Sequence, residues 1–156
     1  MLEGRCQCGA VHYRLTQRPF AVHCCHCRDC QRETGTAFAL NALIESEFLA
    51  LTHGTTECVE TPSNSGKGQK VHRCPTCRVA LWSHYGGMGD AASFVRVGTL
   101  LEPDDCPPQV HIFTRSKQPW VTLAGPVPQH DIFYSRDELE ELFGDEGARR
   151  WRALRG

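Results

Sequence analysis

The spacing of the cysteines constrains this chain more than any other sequence feature. Its ten cysteines form three short clusters and two isolated positions: Cys6 and Cys8; Cys24, Cys25, Cys27 and Cys30; Cys74 and Cys77; and, alone, Cys58 and Cys106. A disulfide between cysteines separated by one or two residues would close a small, strained ring, whereas such a pair can share one metal ion. The spacing therefore favours metal ligands over disulfides, and zinc is the expected metal.

Two of the clusters together offer four sulfur atoms. The sequence around Cys6 and Cys8 predicts a strand, on which alternate side chains point to the same face. A tight turn across Cys74 and Cys77 would direct both of their sulfur atoms at one point. We therefore expect these four cysteines to form a closed structural zinc site. Buried thiols without metal, or a redox pair, are the alternative.

The middle cluster offers three further sulfur atoms. An extended run is expected to pass into a short helix near Arg28, so that Cys25, Cys27 and Cys30 converge. Adjacent side chains on an extended chain face opposite ways, which turns Cys24 away from this group. Three protein ligands with one exchangeable position are typical of a catalytic zinc site. The alternative is a second structural site, completed by His23, His26, Cys24 or Cys58.

The rest of the sequence predicts a mainly β protein, because its short apolar segments are rich in Val, Ile, Thr, Phe and Leu and are interrupted by Gly and Pro. Strands are expected near residues 4–8, 10–15, 21–24, 36–44, 57–61, 69–73, 80–84, 94–97 and 111–113. Ser135 and Glu138 have the spacing of a capping box, which predicts a helix over residues 136–143 that ends at Gly144, followed by a second short helix. We expect a β domain over residues 1–125 and a helical extension over residues 126–156 that packs on it.

Charge and hydropathy give no reason to expect a nucleic acid or a membrane as partner. Lys and Arg number 17 and Asp and Glu number 18, so the net charge is −1. No apolar run approaches the roughly 20 residues that cross a bilayer, and the opening MLEGRCQCG lacks the apolar core of a signal peptide. These features predict a cytoplasmic protein.

Five segments, in this order, resemble the glutathione-dependent formaldehyde-activating enzyme family, which includes the centromere protein V domain: GRCQCGAVHYRL, CHCRDCQRETG, CPTCRVALW, VRVGTL and PPQVHIFTRSKQPW. The resemblance runs from about Leu2 to Trp120 and implies a β-tent fold, built of small coiled β-sheets around a structural zinc. It matches the structural zinc ligands to Cys6, Cys8, Cys74 and Cys77, and the ligands of a second, more labile zinc to Cys25, Cys27 and Cys30. Arg78 stands where the family usually has Gly, which would ease a left-handed turn. We therefore expect the local backbone to differ here.

The resemblance implies a zinc-dependent carbon–sulfur lyase that joins glutathione and formaldehyde as S-hydroxymethylglutathione, or cleaves this or a similar thiol–aldehyde adduct. Its partners would be a glutathione-like thiol and a small aldehyde, and its second zinc site would be labile or empty. Arg28 and Arg32 flank the predicted helix start and are expected to attract substrate carboxylates. His111, within a family motif, is expected to line the pocket or to be a buried, hydrogen-bonded residue. Two alternatives are a non-catalytic zinc-stapled binding module and a thiol redox or metal sensor that uses Cys24 and Cys25.

Overall fold

Strands dominate the fold, with two longer helices placed as the sequence predicts. The computed structural model describes residues 1–63, 65–123 and 125–155. Its strands are β1 (Leu2–Arg5), β2 (His12–Leu15), β3 (Ala21–Cys25), β4 (Ala39–Glu45), β5 (Leu49–His53), β6 (Glu57–Thr61), β7 (Gln69–Arg73), β8 (Ala80–Tyr85), β9 (Ala92–Arg96) and β10 (Val110–Ile112). The helices are α1 (Arg28–Thr34) and α2 (Arg136–Arg155). The prediction of a mainly β fold with a short helix after the middle cysteine cluster is confirmed.

The chain divides into two compact units. The first comprises Met1–Pro19 and Ala42–Cys106, and the second comprises Phe20–Asn41 and Pro107–Gly156. Strand β4 begins in the second unit and ends in the first. The expected boundary between residues 125 and 126 stays a prediction.

The first unit contains two antiparallel arrangements of strands. One is the sheet β1-β2-β5, and the other is the series β9-β8-β7-β6. Tyr13 is buried, its ring meets Trp82 edge to face at 5.8 Å, and its hydroxyl hydrogen-bonds Thr99 at 2.6 Å. Gly4 is the register partner of Tyr13, and a Cβ atom at Gly4 would overlap the tyrosine ring. Glycine at this position therefore allows the aromatic core to lie directly on β1.

The second unit places β10 beside β3 in parallel and packs α2 through aromatic rings. Phe20 lies 5.3 Å from Phe143 and 5.5 Å from Trp151, measured between ring centroids. The predicted capping box is present, because the Ser135 N–H donates to Glu138 Oε2 at 2.7 Å and the Glu138 N–H donates to Ser135 Oγ at 3.3 Å. Gly144 interrupts α2 with a left-handed φ of 65°. The prediction of two helical segments separated at this glycine is confirmed.

One prediction for the first unit is wrong, and one of its strands was not predicted. Cys6 and Cys8 do not lie on a strand, because β1 ends at Arg5 and a turn follows. The turn is held by hydrogen bonds from the Cys6 N–H to the Val11 carbonyl at 3.0 Å and from the Gly9 N–H to the Cys6 carbonyl at 3.2 Å. Strand β5 was not expected at all; four of its five residues are exposed, so it carries little hydrophobic alternation.

None of the helices among residues 1–63, 65–123 and 125–155 is long and apolar enough to cross a membrane.

Arg78 stands where the family usually has glycine, so we expected a different backbone at this position. The left-handed turn that a glycine would ease is nevertheless present. Arg78 adopts the left-handed conformation itself, with φ of 64°. The turn closes normally around it, since the Arg78 N–H donates to the Cys74 carbonyl at 3.0 Å and the Cys74 N–H donates to the Val79 carbonyl at 3.0 Å. The arginine side chain reaches Glu57 in an exposed ion pair. The tight turn between the cysteines therefore overrides the conformational preference of the residue that follows it.

Because a left-handed conformation costs an L-residue roughly 1–2 kcal/mol, Arg78→Gly should be more stable than Arg78→Ala by about 1 kcal/mol. Both variants lose the ion pair with Glu57, so the comparison isolates the backbone cost. Urea unfolding of the two metal-loaded variants measures the difference. Equal midpoints, or a more stable alanine variant, would show that the turn imposes no such cost.

Candidate metal centres

The first centre is a group of four cysteines in the first unit, which we call the tetrad: Cys6, Cys8, Cys74 and Cys77. The sulfur atoms of Cys6 and Cys8 lie 3.5 Å apart, and those of Cys8 and Cys74 lie 3.7 Å apart. A tetrahedral ion with metal–sulfur bonds of about 2.3 Å requires sulfur–sulfur separations of about 3.8 Å. The four side chains therefore have the spacing that a single ion requires.

Backbone N–H groups point at the sulfur atoms of the tetrad. The Val11 N–H donates to Cys6 Sγ at 3.3 Å, and the Cys77 N–H donates to Cys74 Sγ at 3.5 Å. The N–H groups of Val79 and Cys8 lower the pKa of Cys77 to about 6. Donors of this kind stabilise a thiolate, which is the form that binds metal. Two chain turns, rather than a strand and a turn, thus supply the four sulfur atoms.

The second centre is the triplet of Cys25, Cys27 and Cys30 in the second unit. Cys25 is the last residue of β3, Cys27 caps the N-terminus of α1, and Cys30 lies in the first turn of that helix. The Cys30 N–H donates to Cys27 Sγ at 3.3 Å, so one sulfur atom serves both as helix cap and as candidate ligand. All three sulfur atoms lie within 4.8 Å of one another. The predicted passage from strand to helix therefore brings the three together.

Electrostatics in the triplet favour a bound cation. The thiols of Cys25 and Cys30 and the N–H groups of Cys30 and Asp29 lower the pKa of Cys27 to about 2, while the contacts with Cys27 and Cys30, together with burial, raise the pKa of Cys25. One thiolate forms readily, and its negative charge opposes ionisation of its neighbours. A divalent cation would offset that repulsion. The donor set consequently fits a soft or borderline metal such as zinc.

Among the residues that the structure describes, no fourth His, Cys, Asp or Glu joins the triplet. His23 instead hydrogen-bonds the Tyr134 hydroxyl at 2.8 Å. Cys58 lies exposed on β6, in the other unit. The alternative of a four-ligand structural site built with these residues therefore has no support in the geometry. Cys27 is the least buried of the triplet, at 9% exposure.

A separate group lies on the opposite face of β3 from Cys25. It contains Cys24, His26 and His111, whose candidate ligand atoms also lie within 4.8 Å of one another. Burial lowers the pKa of His26 to about 4 and raises the pKa of Cys24 to about 12. Burial also lowers the pKa of His111. His111 is thus a buried residue beside Cys24 and His26.

A surface cleft of about 700 Å³ lies along α1 in the second unit. Its lining includes Arg28, Gln31, Arg32, Thr36, Gln118 and Trp120. Arg28 and Arg32 are one helical turn apart and both exposed, and Trp120 is 74% exposed. The two arginines singled out from the sequence therefore do face a common cleft, whereas His111 does not line it.

Sequence reasoning missed the glutamines and the tryptophan of this cleft. Gln31 Oε1 accepts from Arg28 at 2.7 Å and from Gln118 at 2.9 Å, so it fixes the arginine on the cleft wall. Gln31 Nε2 donates to the carbonyls of His26 at 2.7 Å and Ser116 at 3.0 Å. Gln31 directly follows the last cysteine of the triplet, and Gln118 and Trp120 lie in the segment SKQPW. Their position within the family-like segments was the available signal.

A strained turn supports the junction between β3 and α1. Phe113 has a left-handed φ of 56°, which is unusual for a bulky residue, and it begins the one-turn helix Thr114–Ser116. The Ser116 hydroxyl hydrogen-bonds the His26 carbonyl at 3.0 Å. Such strain is typical of positions that the surrounding structure fixes near functional sites. The turn therefore holds the peptide that connects Cys25 to Cys27.

The chain is similar to known proteins. The family model described as glutathione-dependent formaldehyde-activating enzyme matches residues 1–116. A curated protein of Halomonas elongata, provisionally named as a glutathione-dependent formaldehyde-activating enzyme, is 24% identical over 161 residues and covers 100% of this chain and 97% of its own length. A crystal structure of a Rhodobacter sphaeroides protein covers 64% of this chain and 87% of its own, at 22% identity and a TM-score of 0.49. The chain, matched over residues 1–116, belongs to the glutathione-dependent formaldehyde-activating enzyme family.

Proposed function

We propose that this protein is a zinc-dependent carbon–sulfur lyase that forms or cleaves S-hydroxymethylglutathione or a similar thiol–aldehyde adduct. The observation that carries the proposal is that one short helix, α1, bears two of the triplet cysteines at its start and two arginines on its exposed side. Helix α1 has seven residues, so it is about 10 Å long, which is close to the extended length of a tripeptide thiol. A thiol could thus reach the triplet while its carboxylates reach the arginines.

The tetrad would hold a structural zinc. Cys8 and Cys74 are separated by 66 residues, so the ion joins two distant parts of the first unit. Apparent binding free energies of structural zinc sites are about 10–16 kcal/mol, as large as the whole stability of a typical domain. The tetrad ion would therefore be part of the folding free energy of the first unit.

The triplet would hold the second zinc. When bound there, zinc would take the substrate thiol as a fourth ligand and keep it as thiolate. Three protein thiolates carry three negative charges against the two positive charges of the ion, which makes it a weak Lewis acid. Positioning of the substrate thiol, rather than polarisation of the aldehyde, is therefore the contribution that this donor set favours.

The residues of the cleft would bind and orient the thiol substrate. A guanidinium group binds a carboxylate through two parallel N–H donors. Arg28 is held by Gln31, and Arg32 forms an exposed ion pair with Asp29 at 3.6 Å that a substrate carboxylate can replace at little cost. The Trp120 indole offers a flat apolar surface beside them.

In the reaction the thiol sulfur bonds to the aldehyde carbon, the carbonyl double bond becomes a single bond, and the thiol proton ends on the oxygen.

Cys74→Ser should unfold the first unit, because loss of one of the four ligands weakens ion binding and so removes much of the folding free energy that the ion contributes. Circular dichroism and the metal-to-protein ratio measure the outcome. Cys58→Ser is the matched control, since Cys58 is exposed and belongs to none of the three groups. A Cys74→Ser protein that keeps its fold and its full metal content would refute the structural role of the tetrad.

Cys27→Ser should abolish the catalysed exchange between formaldehyde and glutathione while leaving the protein folded. NMR exchange spectroscopy separates the catalysed rate from the spontaneous one, and metal analysis should show a decrease from two zinc ions to one. Cys106→Ser, a buried cysteine outside all three groups, is the control and should retain both. If the wild-type protein with two zinc ions gives no rate above the spontaneous one, the proposed reaction is wrong for this substrate.

Arg28→Gln and Arg32→Gln should each raise the KM for glutathione about fivefold with little change in kcat, since an exposed charge-assisted contact contributes about 1 kcal/mol. The same variants should leave turnover of 2-mercaptoethanol unchanged, because that thiol has no carboxylate. Arg14→Gln, which removes an exposed arginine of β2, is the control. An equal loss with both thiols would assign the arginines to the structure of α1 instead.

A further inference from the structure

The two faces of β3 carry two different sets of donor atoms. Cys25 belongs to the sulfur triplet, whereas Cys24 and His26, the residue that follows β3, point to the other face. His111 on β10 is the parallel register partner of Cys24, so both lie on that face. The His111 backbone is fixed on its other side, where its N–H donates to Pro128 at 2.8 Å and its carbonyl accepts from His130 at 2.9 Å. The sheet itself therefore assembles one thiol and two imidazoles.

The three donor atoms converge in a buried environment. His26 Nε2 lies 3.1 Å from His111 Nδ1 and 3.5 Å from Cys24 Sγ. Ligand bonds of about 2.0 Å to nitrogen and 2.3 Å to sulfur place neighbouring donor atoms about 3.3–3.8 Å apart, so small side-chain rotations would fit one ion. The exposed fractions are 0% for His26, 3% for Cys24 and 8% for His111.

Hydrogen bonds alone do not provide a partner for every polar atom of these three side chains. His26 Nε2 faces two possible partners, yet a neutral imidazole nitrogen offers either one proton or one lone pair. His26 Nδ1, also buried, has no hydrogen-bond partner among the described residues. Buried polar atoms without partners are costly, and they call for an unplaced ligand or another explanation. A single ion at the centre would use Cys24 Sγ, His26 Nε2 and His111 Nδ1 together.

We propose that Cys24, His26 and His111 form a third metal site, distinct from the tetrad and the triplet, which binds monovalent copper. One thiolate and two imidazoles are the donor set of trigonal copper sites in proteins. A monovalent ion makes the complex neutral, whereas Zn²⁺ would leave one uncompensated positive charge in a buried position. Binding releases the thiol proton of Cys24 and changes no oxidation state. The triplet, by contrast, carries enough negative charge to retain a divalent ion.

The test is an anaerobic titration of the zinc-loaded full chain with Cu(I) supplied as its bicinchoninate complex, with a zinc-sensitive dye present. We expect uptake of one equivalent of copper without release of zinc. Cys24→Ser and His111→Gln should each weaken that uptake at least tenfold, with circular dichroism confirming that both variants are folded. Cys58→Ser, which removes an exposed thiol, should bind copper as the wild type does. Copper uptake accompanied by an equal release of zinc would place the copper at the sulfur centres and overturn the proposal.

Histidine NMR gives an independent readout that a structural role would not produce. In long-range ¹H–¹⁵N spectra, copper should shift His111 Nδ1 and His26 Nε2 to metal-bound values and leave the ring of His23 unchanged. Unshifted His26 and His111 nitrogens after copper uptake would overturn the assignment, as would unchanged copper affinity in both Cys24→Ser and His111→Gln. Failure of the proposed lyase reaction would not affect either measurement, because neither depends on activity.

Discussion

Mutual repulsion among crowded thiolates governs much of this structure. In the tetrad, the sulfur atoms of Cys6 and Cys8 lie 3.5 Å apart and those of Cys8 and Cys74 lie 3.7 Å apart, so four thiolates there would repel one another strongly without a cation. The same constraint operates in the triplet, where the thiolate of Cys27 opposes ionisation of Cys25. In the proposed function, folding and cation binding would be coupled at two places in the chain, and these differ in how many sulfur atoms the protein supplies.

That difference in ligand number gives the two centres different chemical capacities. Four protein thiolates saturate a tetrahedral ion, so the tetrad suits a structural role. A tetrahedral ion in the triplet would have one position for a substrate atom, and the triplet lies at a strand-to-helix junction fixed by Gln31 and Ser116. Because α1 also bears the arginines of the cleft, a displacement of this helix would disturb the candidate metal ligands and the proposed substrate contacts together. Rigid attachment of α1 is thus a requirement of the proposed reaction.

The spacing of the cysteines was sufficient to predict which of them lie together, but not the backbone conformation that brings them together. The four-plus-three division of cysteines depends on which sulfur atoms can share an ion, and several backbone geometries satisfy that condition. Cys6 and Cys8 converge through a turn, although alternation on a strand would have had the same effect. Arg78 shows the limit most directly, because local preference favours a different backbone and the turn that closes at Cys74 overrides it. Gln118 was missed because it is distant in sequence from the helix residue that it contacts.

The alternation of β3 explains how one strand could serve the two proposed metal ions separately. Adjacent residues on a strand point to opposite faces, so Cys24 and Cys25 cannot approach the same ion despite their adjacency. The face of Cys25 accumulates sulfur and negative charge, which favours a divalent ion, whereas the face of Cys24 gains two neutral imidazoles from His26 and His111, which favours a monovalent one. The adjacent residues Cys24 and Cys25, which could suggest a redox pair, therefore belong in this fold to two donor sets of different charge.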